Sequence, residues 1–175
     1  SIMKNLIIVL VAVFALTACQ EQQKIAFVDN SKLVNEYQEK KDLEAKIKGQ
    51  QEKLSAKADS LNVVYQQEIQ QARIDATKLS QAAMEKLGME IDKKWQGIRQ
   101  QLQIEDQEIN MQGQKEIDSL ISKVKTFVKD YGKKNGYTYI LGSNEAGSVM
   151  YGKDENDLTA TLLEQLNAAY TKDKN

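Results

Sequence analysis

The 175-residue chain has no histidine, no proline and a single cysteine. Each absence closes off some chemistry. Histidine is the usual general base and the commonest metal ligand, so its loss removes most metal-centred and acid–base designs. One cysteine can form neither an internal disulfide nor a thiolate metal site, which needs several ligands close together. With no proline, nothing in the chain is obliged to break a helix. Aromatic residues are scarce at 6%, while 28% of the residues are charged, a composition that favours long helices. The charges nearly cancel, with 24 basic against 25 acidic side chains. That is no charge for a nucleic-acid binder, whose affinity comes largely from basic surface. We expect no nucleic-acid partner, no cofactor, no metal and no enzymatic activity, since no convergent catalytic pattern is present.

What is there begins with the placement of Cys19. Met3 and Lys4 give a short cationic start, and Leu6 to Leu16 is an apolar run of 11 residues. Spanning a bilayer as a helix takes about 20, so the run fits the apolar region of a secretory signal peptide. Leu16-Thr17-Ala18-Cys19 resembles the bacterial lipobox, in which the thiol takes up diacylglycerol and the signal is cut before it. Residues 1–18 are read as a lipoprotein signal peptide, Cys19 as the lipidation site, and 19–23 as a lipidated N-terminus and polar tether. Acyl anchoring gains about 0.8 kcal/mol per buried methylene, so two or more chains hold stably.

Residues 24–175 are read as one domain. Lys24 to Asp29 (KIAFVD) suits a strand buried on both faces, and Asn30 and Ser31 are N-cap types. From 31 to 131 the chain is rich in Glu, Lys, Gln and Ala, with apolar residues at steps of mostly 3, 4 or 7: Leu43, Ile47, Leu54, Leu61, Tyr65, then Leu87, Ile91, Trp95, Ile98, Leu102. This is a coiled-coil stripe. A single helix of that length would run about 150 Å, so an antiparallel hairpin, each arm covering the other's stripe, is expected. The stripe falters at Arg73 to Ser80, where Asp75, Thr77 and Ser80 offer caps; the tip is placed there, with Gly88 as the second choice. The base is expected in 24–30 and 132–170: Tyr137 to Leu141 and Ser148 to Tyr151 read as two strands around a glycine-bounded hairpin loop, and Leu158 to Leu166 as a short amphipathic helix. The fold class is α+β and predominantly helical, a long helical hairpin on a small β-sheet. Three strands make a marginal core alone, so oligomerisation through the base is expected, with Ile25, Phe27, Val28, Tyr139, Ile140, Val149 and Tyr151 as the residues carrying it. Gly147 to Asp154 approaches a P-loop, but Asp154 stands where the magnesium-binding hydroxyl belongs and would repel phosphate.

The two ends of the domain, Lys24 to Asp29, then Tyr137 to Leu141, Ser143-Asn144, Val149 to Tyr151 and Asp157-Leu158-Thr159-Ala160 with Leu162-Leu163, resemble the Skp (OmpH-like) family of periplasmic chaperones. The resemblance covers essentially the whole mature chain, with specific motifs at the ends. It implies a jellyfish-like homotrimer whose helical tentacles surround a cavity, holding unfolded outer-membrane protein precursors in the periplasm without ATP. In that setting Ile91, Trp95, Ile98, Leu102, Met84 and Met89 are candidate client contacts. The other reading of Trp95, a seam residue between the arms, stays open, as it does for the methionines. The family's tentacles are basic, whereas residues 31–129 here hold 17 basic and 16 acidic side chains, so any grip must rest more on apolar contact than on steering. A lipid-anchored coiled-coil spacer or adaptor of the cell envelope is the alternative function.

Overall fold

The computed structural model describes residues 22–174. Strand β1 (Ile25–Asp29) leads into helix α1 (Asn30–Glu36), followed by the long helices α2 (Gln38–Ala76) and α3 (Gln81–Lys134). Strand β2 (Tyr139–Ser143), a 3-10 turn at Asp154–Asn156 and helix α4 (Thr159–Asp173) complete the chain. Helices α2 and α3 form the expected hairpin, and the two chain ends meet in a small base.

The tip lies where the caps are. The Thr77 hydroxyl donates to the Ile74 carbonyl (2.7 Å) at the end of α2, and the Ser80 hydroxyl accepts from the Ala83 N–H (3.3 Å) to start α3. Each satisfies a group that a helix end leaves orphaned. At the other end the helical run begins one residue before 31, at Asn30, and is split. Asp29, not Asn30, is the N-cap, accepting from the Lys32 N–H at 2.9 Å. Tyr37 is extended (φ −63°, ψ 124°) and divides α1 from α2. The break is stabilised from outside the helix, because the Asn167 side chain of α4 accepts from the Gln38 N–H at 2.9 Å while the Tyr37 ring is buried against Tyr170.

The sheet departs from expectation. β1 and β2 pair in parallel, with Ile25 opposite Tyr139 and Phe27 opposite Leu141. A parallel pair needs a long crossover, and the helical hairpin is that crossover. Ser148 to Tyr151 pairs with neither strand. The second edge of β1 is already engaged by a bridge from Phe27 to Asp157, and five residues at 144–148 hold the chain in turns closed by Gly147 at φ +85°. Among the described residues the base therefore has two strands rather than three.

The core sits where β1, α1, the lower arms and α4 converge: Ala26, Val28, Leu33, Tyr37, Leu120, Val124, Leu158, Leu162 and Leu166 are all buried. The closing segment is clasped onto β1. The Leu158 N–H donates to the Phe27 carbonyl (2.9 Å), and the Asp29 N–H donates to the Thr159 hydroxyl (2.9 Å), which in turn donates to Asp157. Thr159 is a buried polar side chain with its partners satisfied, as burial requires.

Candidate functional site

Two surfaces follow from this architecture, one on the arms and one on the base.

The arms are held in strict register. Ion pairs cross between them at Glu39–Lys123 (2.7 Å), Lys46–Glu116 (2.9 Å), Lys57–Glu105 (2.7 Å) and Glu68–Lys94 (3.0 Å). The partners of every pair are equidistant from residue 81. On α2 the last three rungs are 11 residues apart, a period that favours a slight right-handed winding over the left-handed one of a heptad repeat. The rungs draw the carboxylates of Glu68, Glu105 and Glu116 below their ordinary range, Glu68 through Lys94 and Trp95, Glu105 through Lys57, and Glu116 through Gln112 and Lys46. Burial raises Glu39, but hydrogen bonds from Lys123 and Tyr37 outweigh it and the net direction is down. About a quarter of the arms' charged side chains are thus paired between the arms.

Between the rungs the seam is filled unevenly. Trp95 is 4% exposed; its ring meets Tyr65 edge-on at 5.1 Å and its indole N–H donates to Glu68 at 2.7 Å. Ile91 is buried beside it, one turn away. Lower down, Gly113 lets α3 close onto Ile47, where a Cβ would come within 2.9 Å of the Ile47 side chain. Ile91 and Trp95 are therefore seam residues, and the candidate client contacts are corrected accordingly: side chains enclosed between two helices offer no surface to a third chain. Ile98 and Leu102 are half-buried in the same seam. Met84 and Met89 are exposed, Met89 at 67%. With them stand Val63 (57% exposed), Val64, Ile74 and Leu79. Val63, Val64 and Ile74 are not among the candidates named from the sequence, because they lie off the apolar stripe. Their off-stripe position is the signal that could have found them.

At the base, period 2 separates two faces. Val28 and Ala26 point into the chain's own core, and Ile140 packs against that core over Gly132, where a Cβ would stand 3.1 Å from the isoleucine. Val28 and Ile140 hold one chain together and are corrected as contacts to a second copy. Ile25, Tyr139 (56% exposed) and Leu141 lie on the outer face with half-buried Phe27, whose ring closes over Gly152. Next to them Met150 and Tyr151 are 89% and 85% exposed, and Val149 is half-buried. Cys19 lies outside the described residues.

Comparisons with known proteins agree with this geometry. Residues 24–166 match the family of OmpH-like outer membrane proteins. The chaperone protein Skp of Yersinia enterocolitica is 24% identical over 156 residues, spanning 87% of this chain and 91% of that one. A crystal structure of an OmpH-like protein from Caulobacter crescentus superposes with a TM-score of 0.72 at 16% identity, covering 84% of this chain and 85% of its own. The matched region takes in both strands, both long helices and the first half of α4: the chain belongs to the OmpH-like family of outer membrane proteins.

Proposed function

We propose that this protein is a periplasmic chaperone of the holdase type, which binds unfolded outer-membrane protein precursors without ATP and prevents their aggregation. The observation that carries the reading is the exposed apolar set Val63, Val64, Ile74, Leu79, Met84 and Met89 on the distal part of a hairpin tethered only at its base. Unfolded barrel chains expose alternating apolar residues and unpaired strand edges, which associate in water. Scattered apolar contacts, individually weak, occupy those residues and exclude other chains. Because each contact is small, a client leaves when its own folding buries the same surface, so no fuel is required. Methionine suits the task, since its flexible thioether adapts to varied partners.

The working unit is a homotrimer assembled through the base. The outer face of Ile25, Phe27, Tyr139 and Leu141, together with the strand-like run ending in Met150 and Tyr151, is unpartnered within one chain, and a neighbouring copy supplies the cover. Cys19 carries a lipid that holds the assembly at a membrane. The spacer alternative is favoured by the unbroken register of the cross-arm ion pairs, which would stiffen a connector.

The test replaces Val63, Ile74, Met84 and Met89 together by serine. Protection of an unfolded barrel protein should fall severalfold while circular dichroism and trimer mass stay unchanged. Full protection by the variant would show that the distal apolar set is not the grip, and would leave the arms to the spacer reading.

A further inference from the structure

The C-terminal end of α3 carries a row of lysines with no counter-ion. Lys125, Lys129 and Lys133 succeed one another at i, i+4 and i+8, the spacing that sets side chains on one helix face. All three are exposed, and none of them, nor Lys134, forms an ion pair among the described residues. This contrasts with the arms above, where the lysines of the rungs are matched across the seam. Asp130 is the one acid between residues 122 and 141, and it also lies outside the ion pairs. The helix dipole explains basic residues within the last turn, such as Lys133 and Lys134, but its influence fades beyond that turn and does not account for Lys125 and Lys129.

The three lysines rim a groove of about 370 Å³ whose other walls are Val128, Gly132 and the segment Tyr137 to Ile140. Tyr137 gives it an amphipathic aromatic lip, the side-chain type that settles at a membrane–water boundary. Lys24 lies beside the lip, its ammonium over the Tyr137 ring at 4.2 Å and donating to the Asn135 carbonyl at 3.0 Å. The N-terminal tether therefore leaves the fold beside the groove. Five residues from Cys19 to Lys24 reach at most about 18 Å at 3.3–3.6 Å each, so an acyl group on Cys19 would keep this surface close to lipid headgroups.

We propose that the lysine row of Lys125, Lys129 and Lys133, with Lys24 and the tyrosine lip, is a docking surface for an anionic phospholipid bilayer, which presses the base against the membrane. This builds on the lipid-anchor reading. The diacylglycerol of that reading holds the chain at the bilayer by itself, and the basic patch adds an attraction to anionic headgroups that orients the base against them.

The test uses residues 20–175, which contain every element and core residue described above but no thiol. Its outcome is thus independent of whether Cys19 is lipidated. Co-sedimentation with vesicles of phosphatidylglycerol and phosphatidylcholine (3:7) is compared with pure phosphatidylcholine. Each lysine near such a surface is worth about a fivefold change in partitioning, so Lys125→Gln/Lys129→Gln/Lys133→Gln should bind the anionic vesicles on the order of 100-fold more weakly. The control Lys53→Gln/Lys78→Gln/Lys86→Gln removes the same charge from exposed positions on the arms and tip and should bind like the parent. Salt at 0.5 M should abolish binding of the parent. The proposal is overturned if the base variant binds as well as the parent or if the arm variant loses as much. It is also overturned if neutral vesicles bind equally, or if the base variant loses protection of acidic clients but not vesicle binding.

Discussion

Trp95→Ala should loosen the distal arms and leave the base intact. A buried tryptophan removes about 200 Å² from water, which at about 25 cal/mol per Å² gives about 5 kcal/mol. Partial burial in the unfolded chain lowers this by roughly a quarter, and the methyl group that remains lowers it further, while the lost edge-on pair with Tyr65 adds back about 1 kcal/mol. The net cost is about 3 kcal/mol, at the lower end of the range for such truncations, which is fitting for a seam two helices wide. The residues that feel it are those beyond Trp95 on both arms, roughly 66 to 96, because the core of Leu33, Leu162 and Leu166 lies at the far end of the hairpin and shares no side chain with the Trp95 cluster. Native-state hydrogen exchange reads the difference directly. Amides of the distal arms should exchange on the order of 100-fold faster, since each 1.36 kcal/mol is tenfold, while amides of β1 and α4 keep their rates. Trp95→Phe keeps a ring against Tyr65 but drops the N–H to Glu68, and should cost only about 1 kcal/mol. Equal acceleration in base and arms would refute the reasoning by showing one cooperative unit. No acceleration anywhere would show that the ion-pair rungs, not the tryptophan, hold the arms.

Three further outcomes are expected. Charge on the outer sheet face, as in Phe27→Asp or Tyr139→Glu, should yield folded monomers by light scattering, whereas Val28→Asp, which buries an unpaired carboxylate in the core, should unfold the chain; a folded trimer carrying Tyr139→Glu would argue against assembly through this face. On acidification, Asp42 is held down to about 2, chiefly by hydrogen bonds from Lys174, then Gln38 and Tyr170. A carboxyl lowered below its unfolded value of about 3.9 stabilises the fold above that value, and the stabilisation is lost as pH falls through the folded one. Glu68, Glu105 and Glu116 shift in the same direction, so the melting temperature should be flat from pH 8 to 5 and drop between about 4 and 2; a drop already complete at pH 5 would contradict the assignment. Finally, mass spectrometry of protein extracted from membranes should find Cys19 acylated and N-terminal, and an unmodified thiol there would remove the anchor from the account.

The hairpin could be read from the sequence because its signals are local and redundant. Apolar spacing, absence of proline and the caps at Thr77 and Ser80 all point the same way, and the tip lies within the stretch where the stripe falters. The closing motif Asp157-Leu158-Thr159 was legible as a resemblance, and the structure shows its physical content: a clasp of two hydrogen bonds onto β1, braced by a third from Thr159 to Asp157. Strand pairing was not legible. Ser148 to Tyr151 has the composition of a strand, but composition does not say which edge a segment pairs with, and among the described residues it pairs with none. Nor could the stripe separate enclosed from open positions. Trp95 and Met89 lie six residues apart on the same helix, and only the facing residues Tyr65 and Glu68 decide that the first is buried. The ladder of ion pairs escaped notice because its members stand as much as 84 residues apart, related only by their equal distance from the tip. That symmetry also dictates how the arms can be shortened: a cut must remove equal lengths on either side of residue 81.

The central claim is that the distal arms hold unfolded barrel proteins while the base carries assembly. The most direct measurement is light scattering of a denatured outer-membrane barrel protein diluted into buffer without ATP, in the presence of either the parent or a chain with residues 64–98 replaced by a short glycine-containing turn joining Val63 to Arg99. The account predicts that the parent suppresses scattering at near-stoichiometric trimer, and that the shortened chain remains trimeric but leaves scattering close to that of the client alone. Equal suppression by the two, or none by the parent, would contradict it.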